Sequence, residues 1–398
     1  MRLVTVSGVP IGYLITVAVI ALAMLLALRP AGRPAPLRTA SWTLGSTVNE
    51  SPFLAFYWVL AATLLALAQG DLDTPLGWVA LGIAGVTFLG APTLVHRSLE
   101  ARPAVADALA EGLGPGWRDE LDRVPAAQLR DGRLPWVRIL LAPLPFLHRG
   151  VRLDRNLSYG DAGRRNRLDV YHHPARPAGA PVLIHLHGGG FFMGRKSFYS
   201  RALLVELARR GWVCLSANYR LRPRAVFPDY LVDAKKAIAW ARRHASEYGA
   251  DASVVFVAGS SAGAHIAATA ALTPNDATFQ PGFEEADTSV SGAVCLFGYY
   301  GAVDRTRQPL ASSPFDYVRP DAPPILVAHG EYDMLVPPEQ ARAFAERLRG
   351  VSTSPVVYAE LPKGPHNFDL FHSIRFEILI DGIEVFTAWV RSERAARE

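Results

Sequence analysis

The chain of 398 residues is predicted to be an α/β protein, with a mostly parallel central sheet covered by helices on both faces and an N-terminal bundle of about three membrane-spanning helices before it. Three observations predict this. The residues before position 97 hold three long uncharged apolar runs, each near the ~20 residues that a helix needs to cross a ~30 Å hydrocarbon core. The remainder alternates short apolar runs with helical stretches, the order that builds parallel strands joined by crossover helices. Two of the short runs end abruptly in clusters of small residues around Gly188-Gly189-Gly190 and Gly259 to Gly263, which is turn chemistry at a strand's end.

The first region is residues 1–96, with spans at about 9–28, 52–68 and 76–95. Val9 to Leu28 carries no charge and no proline after Pro10. It exceeds the ~7–15 apolar residues of a cleaved leader and so reads as an anchor, cleavage being the alternative. The second run opens with Phe53, Phe56, Tyr57 and Trp58, rings suited to the headgroup level. In the third, Gly77, Ala80, Gly82, Ala84 and Gly85 let a neighbouring helix approach closely, unless they reflect composition alone. Arg29, Arg33 and Arg38 follow the first run, Asp71 and Asp73 the second, Arg97 and Arg102 the third. Arginine excess marks the cytoplasmic side, so the expectation is a multi-pass membrane protein with its N-terminus outside and residues 97 onward in the cytoplasm. Loss of the first span would invert it.

Residues 97–150 are rich in Pro, Ala and Arg and read as a helical linker broken at Pro103, Pro125 and Pro135. Within it, 134–141 and 144–147 form an apolar patch with Arg138 and Arg149 at its margins. Two readings stand: an interfacial or lid segment over a substrate pocket, and plain packing onto the next domain's core.

From 151 to 398, strand candidates lie near Val151, Arg167, Val182, Val213, Val254, Ala293, Ile325 and Val356, separated mostly by helical stretches. The alternation implies a mostly parallel sheet with an antiparallel pair at its start. The helix expected over 230–248 shows the pattern: Leu231, Ala234, Ile238 and Ala241 recur at helical spacing while Lys235, Arg242 and Glu247 fall elsewhere on the wheel.

The strand at 181–186 runs straight into His187-Gly188-Gly189-Gly190. The strand at 254–258 runs into Gly259-Ser260-Ser261-Ala262-Gly263, and an Ala-rich helix follows. Either motif alone is a chance turn or a flexible loop; strand, turn and helix in this order are what a nucleophile elbow requires. A serine hydroxyl is a weak nucleophile and must stand on a sharp turn with small neighbours, here Gly259, Ala262 and Gly263 around Ser261. Attack on a carbonyl leaves negative charge on its oxygen, and N–H groups already aimed there lower the barrier. Gly189, Gly190 and Ala262 are the candidate donors, with His187 and Gly188 supporting the first turn.

Such a serine needs a base and a group to orient it, further along the chain. Asp333 lies just past the strand at 324–329 and the turn at Gly330, on the carboxyl edge where open α/β sheets gather their sites. His366 sits in Gly364-Pro365-His366-Asn367-Phe368, a loop between a strand and the last helix. The rival acids Asp316, Asp321 and Glu331 suit solvated loops. His372 falls at a helix start, and His329 reads as a core or turn histidine. The pair His172-His173 has no acid or cysteine cluster at ligand spacing, and no metal is expected.

Together these segments resemble the hormone-sensitive-lipase-type family of α/β-hydrolase carboxylesterases, with its HGGG and GxSAG motifs. The resemblance covers residues 151–398. Asn218-Tyr219-Arg220-Leu221, with Phe227-Pro228 and Asp233, is similar to the family's segment after the fourth strand; Leu272-Thr273-Pro274-Asn275-Asp276 is similar to a stretch of membrane-attached bacterial members. It implies the α/β-hydrolase fold and a serine esterase or lipase that cleaves small-molecule or lipid esters through an acyl-enzyme. Ser261, Asp333 and His366 are then the triad, and no cofactor is needed. Many members have Asp before the nucleophile and Gly after the elbow, where this chain has Ser260 and Ala264. The interval from Ser261 to Asp333 is short for the family, which implies a reduced insertion over the sheet's edge. The same triad serves amidases, deacetylases and prenylcysteine-methylesterase-like enzymes, and a membrane-attached binding module is the non-enzymatic alternative.

The net charge of +5 comes from arginines spread along the chain, without a basic block interleaved with aromatics. Nucleic acid is therefore not an expected partner, whereas an anionic membrane surface is. Cys214 and Cys295 lie in apolar strand-like runs and read as buried thiols rather than a disulfide framework. The glycine triplet has neither the Lys-Ser/Thr ending of a phosphate loop nor dinucleotide-site spacing. Oligomeric state is left open by these patterns.

Overall fold

A computed structural model describes residues 10–118, 132–146, 149–304 and 310–397; the expected linker break at Pro125 lies outside them. Helix α1 (Ile11–Leu28) is followed by a short helical connection made of α2 (Ala35–Ala40), a π-helical turn (Ser41–Gly45) and α3 (Ser46–Glu50). Helices α4 (Pro52–Gln69) and α5 (Pro75–Leu99) complete an up-down-up bundle, and α5 leads directly into α6 (Ala101–Leu113). Among the described residues, α1, α4 and the continuous stretch Pro75–Leu113 are long and apolar enough to cross a membrane, with mean hydropathy of 2.6, 1.7 and 1.8 over their most apolar windows. Turn chemistry explains the reversal between α4 and α5: Gly70 ends α4 with φ +77°, and Thr74 caps α5 by accepting a bond from Gly77 N at 3.1 Å.

Small residues let the bundle close. Ala23, Ala27, Ala66, Ala80 and Ala84 are buried between the helices. Gly82 and Gly85 do not share this role, since a Cβ on either would meet nothing within 4 Å. Both are exposed on α5, Gly82 bordering an open groove against Ala21, Met24 and Leu25 of α1, which corrects the expectation that all five small residues of the third span mediate packing.

After the bundle, α6 lies on the last strand and the last helix, so closely that a Cβ on Gly112 would sit 2.7 Å from Val357 Cα. Helix α7 (Trp136–Leu141) buries Ile139 in the same core and leaves Val137 and Leu141 exposed. Its Arg138 pairs with Glu206 at 2.7 Å.

The rest is one eight-stranded sheet. Its elements are β1 (Arg152–Ser158), β2 (Arg167–His172), β3 (Ala180–Leu186), α8 (Arg201–Arg209), β4 (Val213–Ala217), α9 (Asp229–His244), β5 (Ala250–Ser260) and α10 (Ala262–Leu272). They continue with β6 (Gly292–Leu296), β7 (Ile325–Gly330), α11 (Glu339–Arg349), β8 (Val356–Leu361) and α12 (Ile374–Arg397). The strand order is β1-β2-β4-β3-β5-β6-β7-β8, antiparallel at β1/β2 and β2/β4 and parallel elsewhere. This is the expected sheet with its antiparallel start.

Strands β3 to β7 are buried apart from the first five residues of β5, with α9, α10 and α11 packed on one face and α6, α8 and α12 on the other. The chain leaves β3 toward β4 on one side and leaves β5 toward β6 on the other. Loops that diverge in this way open a crevice at the carboxyl ends of the strands, the place where α/β sheets hold ligands.

Candidate active site

Four loops meet in that crevice, one each from the ends of β3, β5, β7 and β8. Ser261 joins β5 to α10 with φ +54° and ψ −117°, a conformation that L-residues avoid unless the surroundings enforce it. Its N–H bonds to Leu296 O on β6 at 2.8 Å, which pins the turn to the sheet. The flanking glycines are steric requirements. A Cβ on Gly259 would lie 2.1 Å from Gly263 O, and one on Gly263 would lie 2.0 Å from Leu186 O on β3.

His366 is buried beside Ser261, its Nε2 3.2 Å from the Oγ. On its other side Nδ1 lies 2.5 Å from Asp333 Oδ2, and the edge of Phe297 at 4.7 Å between ring centres fixes the imidazole plane. The second oxygen of Asp333 accepts from Leu335 N at 2.9 Å and Val336 N at 2.8 Å. Burial works to raise the Asp333 pKa, but the charge and hydrogen bonds of His366, together with His329, outweigh it and hold the carboxyl well below the usual range. Asp333 is thus an acceptor only, and His366 Nδ1 must donate to it, leaving Nε2 to face the serine. The row Asp333, His366, Ser261 has the connectivity that transfers a proton away from an attacking hydroxyl.

Facing Ser261 is the loop after β3. Gly189 has φ +120° and Gly190 φ +62°, and a Cβ on Gly189 would collide with Met193 O at 2.1 Å. Among the described residues, the N–H groups of Gly189, Gly190 and Ala262 donate to no protein acceptor. His187 props this loop from behind: its ring stacks on Tyr219 at 4.3 Å, its Nδ1 donates to Gly188 O at 2.7 Å, and Tyr219 Oη donates to His187 O at 2.7 Å. Burial depresses the His187 pKa to about 4, so it is a neutral strut. Tyr219 is held in turn by its neighbour Arg220, whose guanidinium bonds Asp233 at 3.0 Å and Asp229 at 2.8 Å. That explains why Asn218-Tyr219-Arg220-Leu221 and Asp233 accompany the glycine loop.

This geometry has relatives. The BD-FAE family model matches residues 168–308 and 301–348. Over 97% of its length the chain is 38% identical to the probable carboxylic ester hydrolase LipM of Mycobacterium tuberculosis, covering 95% of that protein. The chain belongs to this family of carboxylic ester hydrolases. It is also 36% identical to the esterase LipQ of the same organism, over 72% of this chain and 74% of that one. A truncated carbohydrate esterase from gut microbiota shares the fold, with a TM-score of 0.50 at 22% identity, over 59% of this chain and 96% of that one. The resemblance drawn from the motifs, to hormone-sensitive-lipase-type esterases, agrees with these matches, as does the α/β-hydrolase fold.

The rival residues of this ester hydrolase have other occupations. His372 Nδ1 sits 2.5 Å from Glu377 and away from the serine. Glu331 bonds Lys363 Nζ at 2.9 Å, tying the Asp333 turn to the His366 loop. Asp321 pairs with Arg319. His329 is more than a core histidine, since its Nε2 lies 3.2 Å from Asp333 Oδ2 and 2.8 Å from Val336 O. Among the described residues no group of three or more His, Cys, Asp or Glu could hold a metal ion.

One feature escaped the sequence reading altogether. Asp369, fully buried three residues beyond His366, accepts from Ser200 Oγ at 2.6 Å and Ser260 Oγ at 2.5 Å through one oxygen, and its other oxygen has no hydrogen-bond partner among the described residues. His185 Nε2 lies 3.0 Å from the same Ser260 hydroxyl. Burial pushes the Asp369 carboxyl up to about 6 and the His185 imidazole down to about 3. The signal was present in Ser260: at the position before the nucleophile, where the family resemblance implies a carboxylate, this ester hydrolase has a hydroxyl that leans on a carboxylate from another loop.

Ser261 and His366 open into a cavity of about 910 Å³. Of the apolar patch at 134–141 and 144–147, Leu147 lies outside the described residues; the described part lines a separate surface cavity with Arg149 and Arg209 and does not reach this one. The wall facing the bundle is Trp42, Thr43, Ser46 and Thr47.

Proposed function

We propose that this ester hydrolase works through an acyl-enzyme on Ser261. His366 takes the serine proton and returns it to the leaving alcohol; Asp333 holds the imidazole in its tautomer and stabilises the imidazolium. The N–H groups of Gly189, Gly190 and Ala262 bind the oxyanion. Water then repeats the sequence to release the acid. The observation that carries the reading is the unbroken hydrogen-bonded row from Asp333 through His366 to a serine held on a strained turn. Ser261→Ala in the full chain is expected to lower kcat on p-nitrophenyl butyrate by at least ~10³-fold, because removing a triad member leaves only oxyanion and binding contributions. A variant as active as the parent would take Ser261 out of the mechanism.

The chain is further proposed to cross the membrane three times, with the hydrolase domain in the cytoplasm. Two features support this. The connection carrying Arg29, Arg33 and Arg38 packs against the hydrolase domain, while Asp71 and Asp73 lie at the far end of the bundle. An odd number of crossings puts that connection and the domain on one side, and arginine excess makes that side the cytoplasm. A membrane-impermeant maleimide applied to intact cells is expected to label Leu72→Cys and not Ser352→Cys; the reverse pattern would refute the orientation.

A further inference from the structure

We propose that Ser261 takes esters with a long uncharged chain directly from the bilayer, through a cavity whose membrane-side wall is the connection between the first two spans. The proposal rests on the ester-hydrolase reading and adds the substrate class and its route.

The wall is firmly attached at both ends. Residues 42–47 lie between α1 and α4, so neither end of the connection can leave the bundle. At its far end Glu50 forms a fully buried ion pair with Arg375 at the start of α12. Asn49 Oδ1 accepts from Arg375 Nη1 at 3.1 Å, and its Nδ2 donates to Lys363 O at 3.2 Å, on the loop that carries His366. The membrane region therefore supplies part of the active-site cavity.

The cavity's mouth is at the level where the spans end. Met334 lies 3.2 Å from the point a Cβ on Gly32 would occupy, and Gly32 is four residues past the end of α1. Next to it Leu335 is 50% exposed, and across the cavity Phe192 and Met193 are 60% and 68% exposed. Large apolar side chains clustered around an opening are unfavourable in water and mark a surface that meets something apolar. Beside the ends of three spans, that partner is the bilayer.

The lining also selects for charge. Its ionisable side chains are Arg222, Asp304 and His366. Arg222 is paired with Asp304, and His366 is engaged by Ser261 and Asp333, so among the described residues no lining cation is left over for a phosphate or a free carboxylate. Trp42 adds a large apolar surface whose indole Nε1 is buried without an acceptor among the described residues, a position that an oxygen at the polar end of an ester fills. At about 910 Å³ the cavity is near the upper end of the ~300–1,000 Å³ typical of ligand sites, far more than an acetyl group occupies.

The test uses the full chain in nanodiscs of zwitterionic phospholipid containing 4-methylumbelliferyl dodecanoate, with p-nitrophenyl acetate as the water-soluble ester. At fixed bulk concentration, dodecanoate hydrolysis is expected to follow its mole fraction in the bilayer, falling in proportion as phospholipid is added. A rate indifferent to that dilution overturns the proposal. So does cleavage of acetate with none of dodecanoate, which leaves the ester-hydrolase reading standing; cleavage of neither defeats both. Ser46→Trp, which fills the wall, and Trp42→Ala, which opens it, are each expected to shift the dodecanoate-to-acetate ratio of kcat/KM by at least ~10-fold. Fluorophosphonate labelling of Ser261 verifies that each variant is folded, and ratios equal to the parent's in labelled variants overturn the role of the wall. Faster cleavage of a phosphate-bearing lyso-phospholipid than of its uncharged monoacylglycerol counterpart would overturn the uncharged class.

Discussion

The three-helix bundle leaves many large apolar side chains exposed while burying alanines between its helices, whereas the central sheet of the hydrolase domain buries its large apolar side chains. Val86 and Leu89 on α5 are 71% and 74% exposed while Ala80 and Ala84 on the same helix are fully buried. In the sheet, Val257, Leu296 and Val327 are all at zero exposure. A helix in lipid gains nothing by hiding leucine from its surroundings and associates through close contact of small side chains. A sheet in water gains about 25 cal/mol for each Å² of apolar surface it hides. The exposed apolar surface of the bundle fits the proposed membrane location, and the active-site cavity lies where the bundle meets the hydrolase domain.

The joint between them holds the largest expected effect. Arg375 is fully buried and its charge is met by Glu50 from the bundle side. Removing one member of such a pair strands the other in a medium that cannot solvate it, at a cost of ~3–5 kcal/mol. Glu50→Ala is expected to lower the unfolding temperature of the detergent-solubilised chain sharply, and the double variant Glu50→Met with Arg375→Met to recover much of the loss. Equal unfolding temperatures for Glu50→Ala and the parent would show that the two regions are not energetically joined there.

Much of this was legible in the chain, for identifiable reasons. Ser261 could be found because its turn has steric requirements that only glycine meets, so Gly259 and Gly263 stand beside it in the sequence. Asp333 and His366 could be found because each follows the end of a strand whose apolar run is unmistakable. Trp42 to Thr47 could not. Their place in the cavity depends on how the bundle docks, and nothing local marks a short connection between spans as a wall. Asp369 was missed for a related reason, since its partners are 169 and 109 residues away and its character comes from burial alone.

Asp369 also sharpens the comparison, because burying a carboxyl without a cation is a cost that only the hydrolase domain accepts. Its pKa is raised from 3.8 to about 6 in the folded chain. Between those values the folded state holds a proton that the unfolded state has released, so stability falls as pH rises from about 4 to about 6 and stays lower above that. The difference amounts to something on the order of 2–3 kcal/mol. Asp369→Asn keeps an acceptor for Ser200 and Ser260 and does not ionise. Its unfolding temperature relative to the parent's is expected to climb as pH goes from 4 to 7; parallel profiles would show that the carboxyl does not titrate in this window.

The smallest effect tests the exposed apolar surface of the bundle most directly. Gly82 on α5 has open space where a side chain would be, while Ala84, two residues on, is wholly buried between helices. In a membrane the first position faces lipid, and a leucine there adds apolar surface to an apolar surrounding while replacing a poor helix former. Gly82→Leu is therefore expected to leave the detergent unfolding temperature unchanged or slightly higher, within ~0.5 kcal/mol, as for other positions that touch nothing. Ala84→Leu forces three extra carbons between α1 and α5 and is expected to cost ~1–3 kcal/mol by overpacking. The contrast between the two carries the inference: were both substitutions equally harmful, α5 would be surrounded by protein on all sides, and the outward-facing leucines of the bundle would belong to a contact with another chain instead of with lipid.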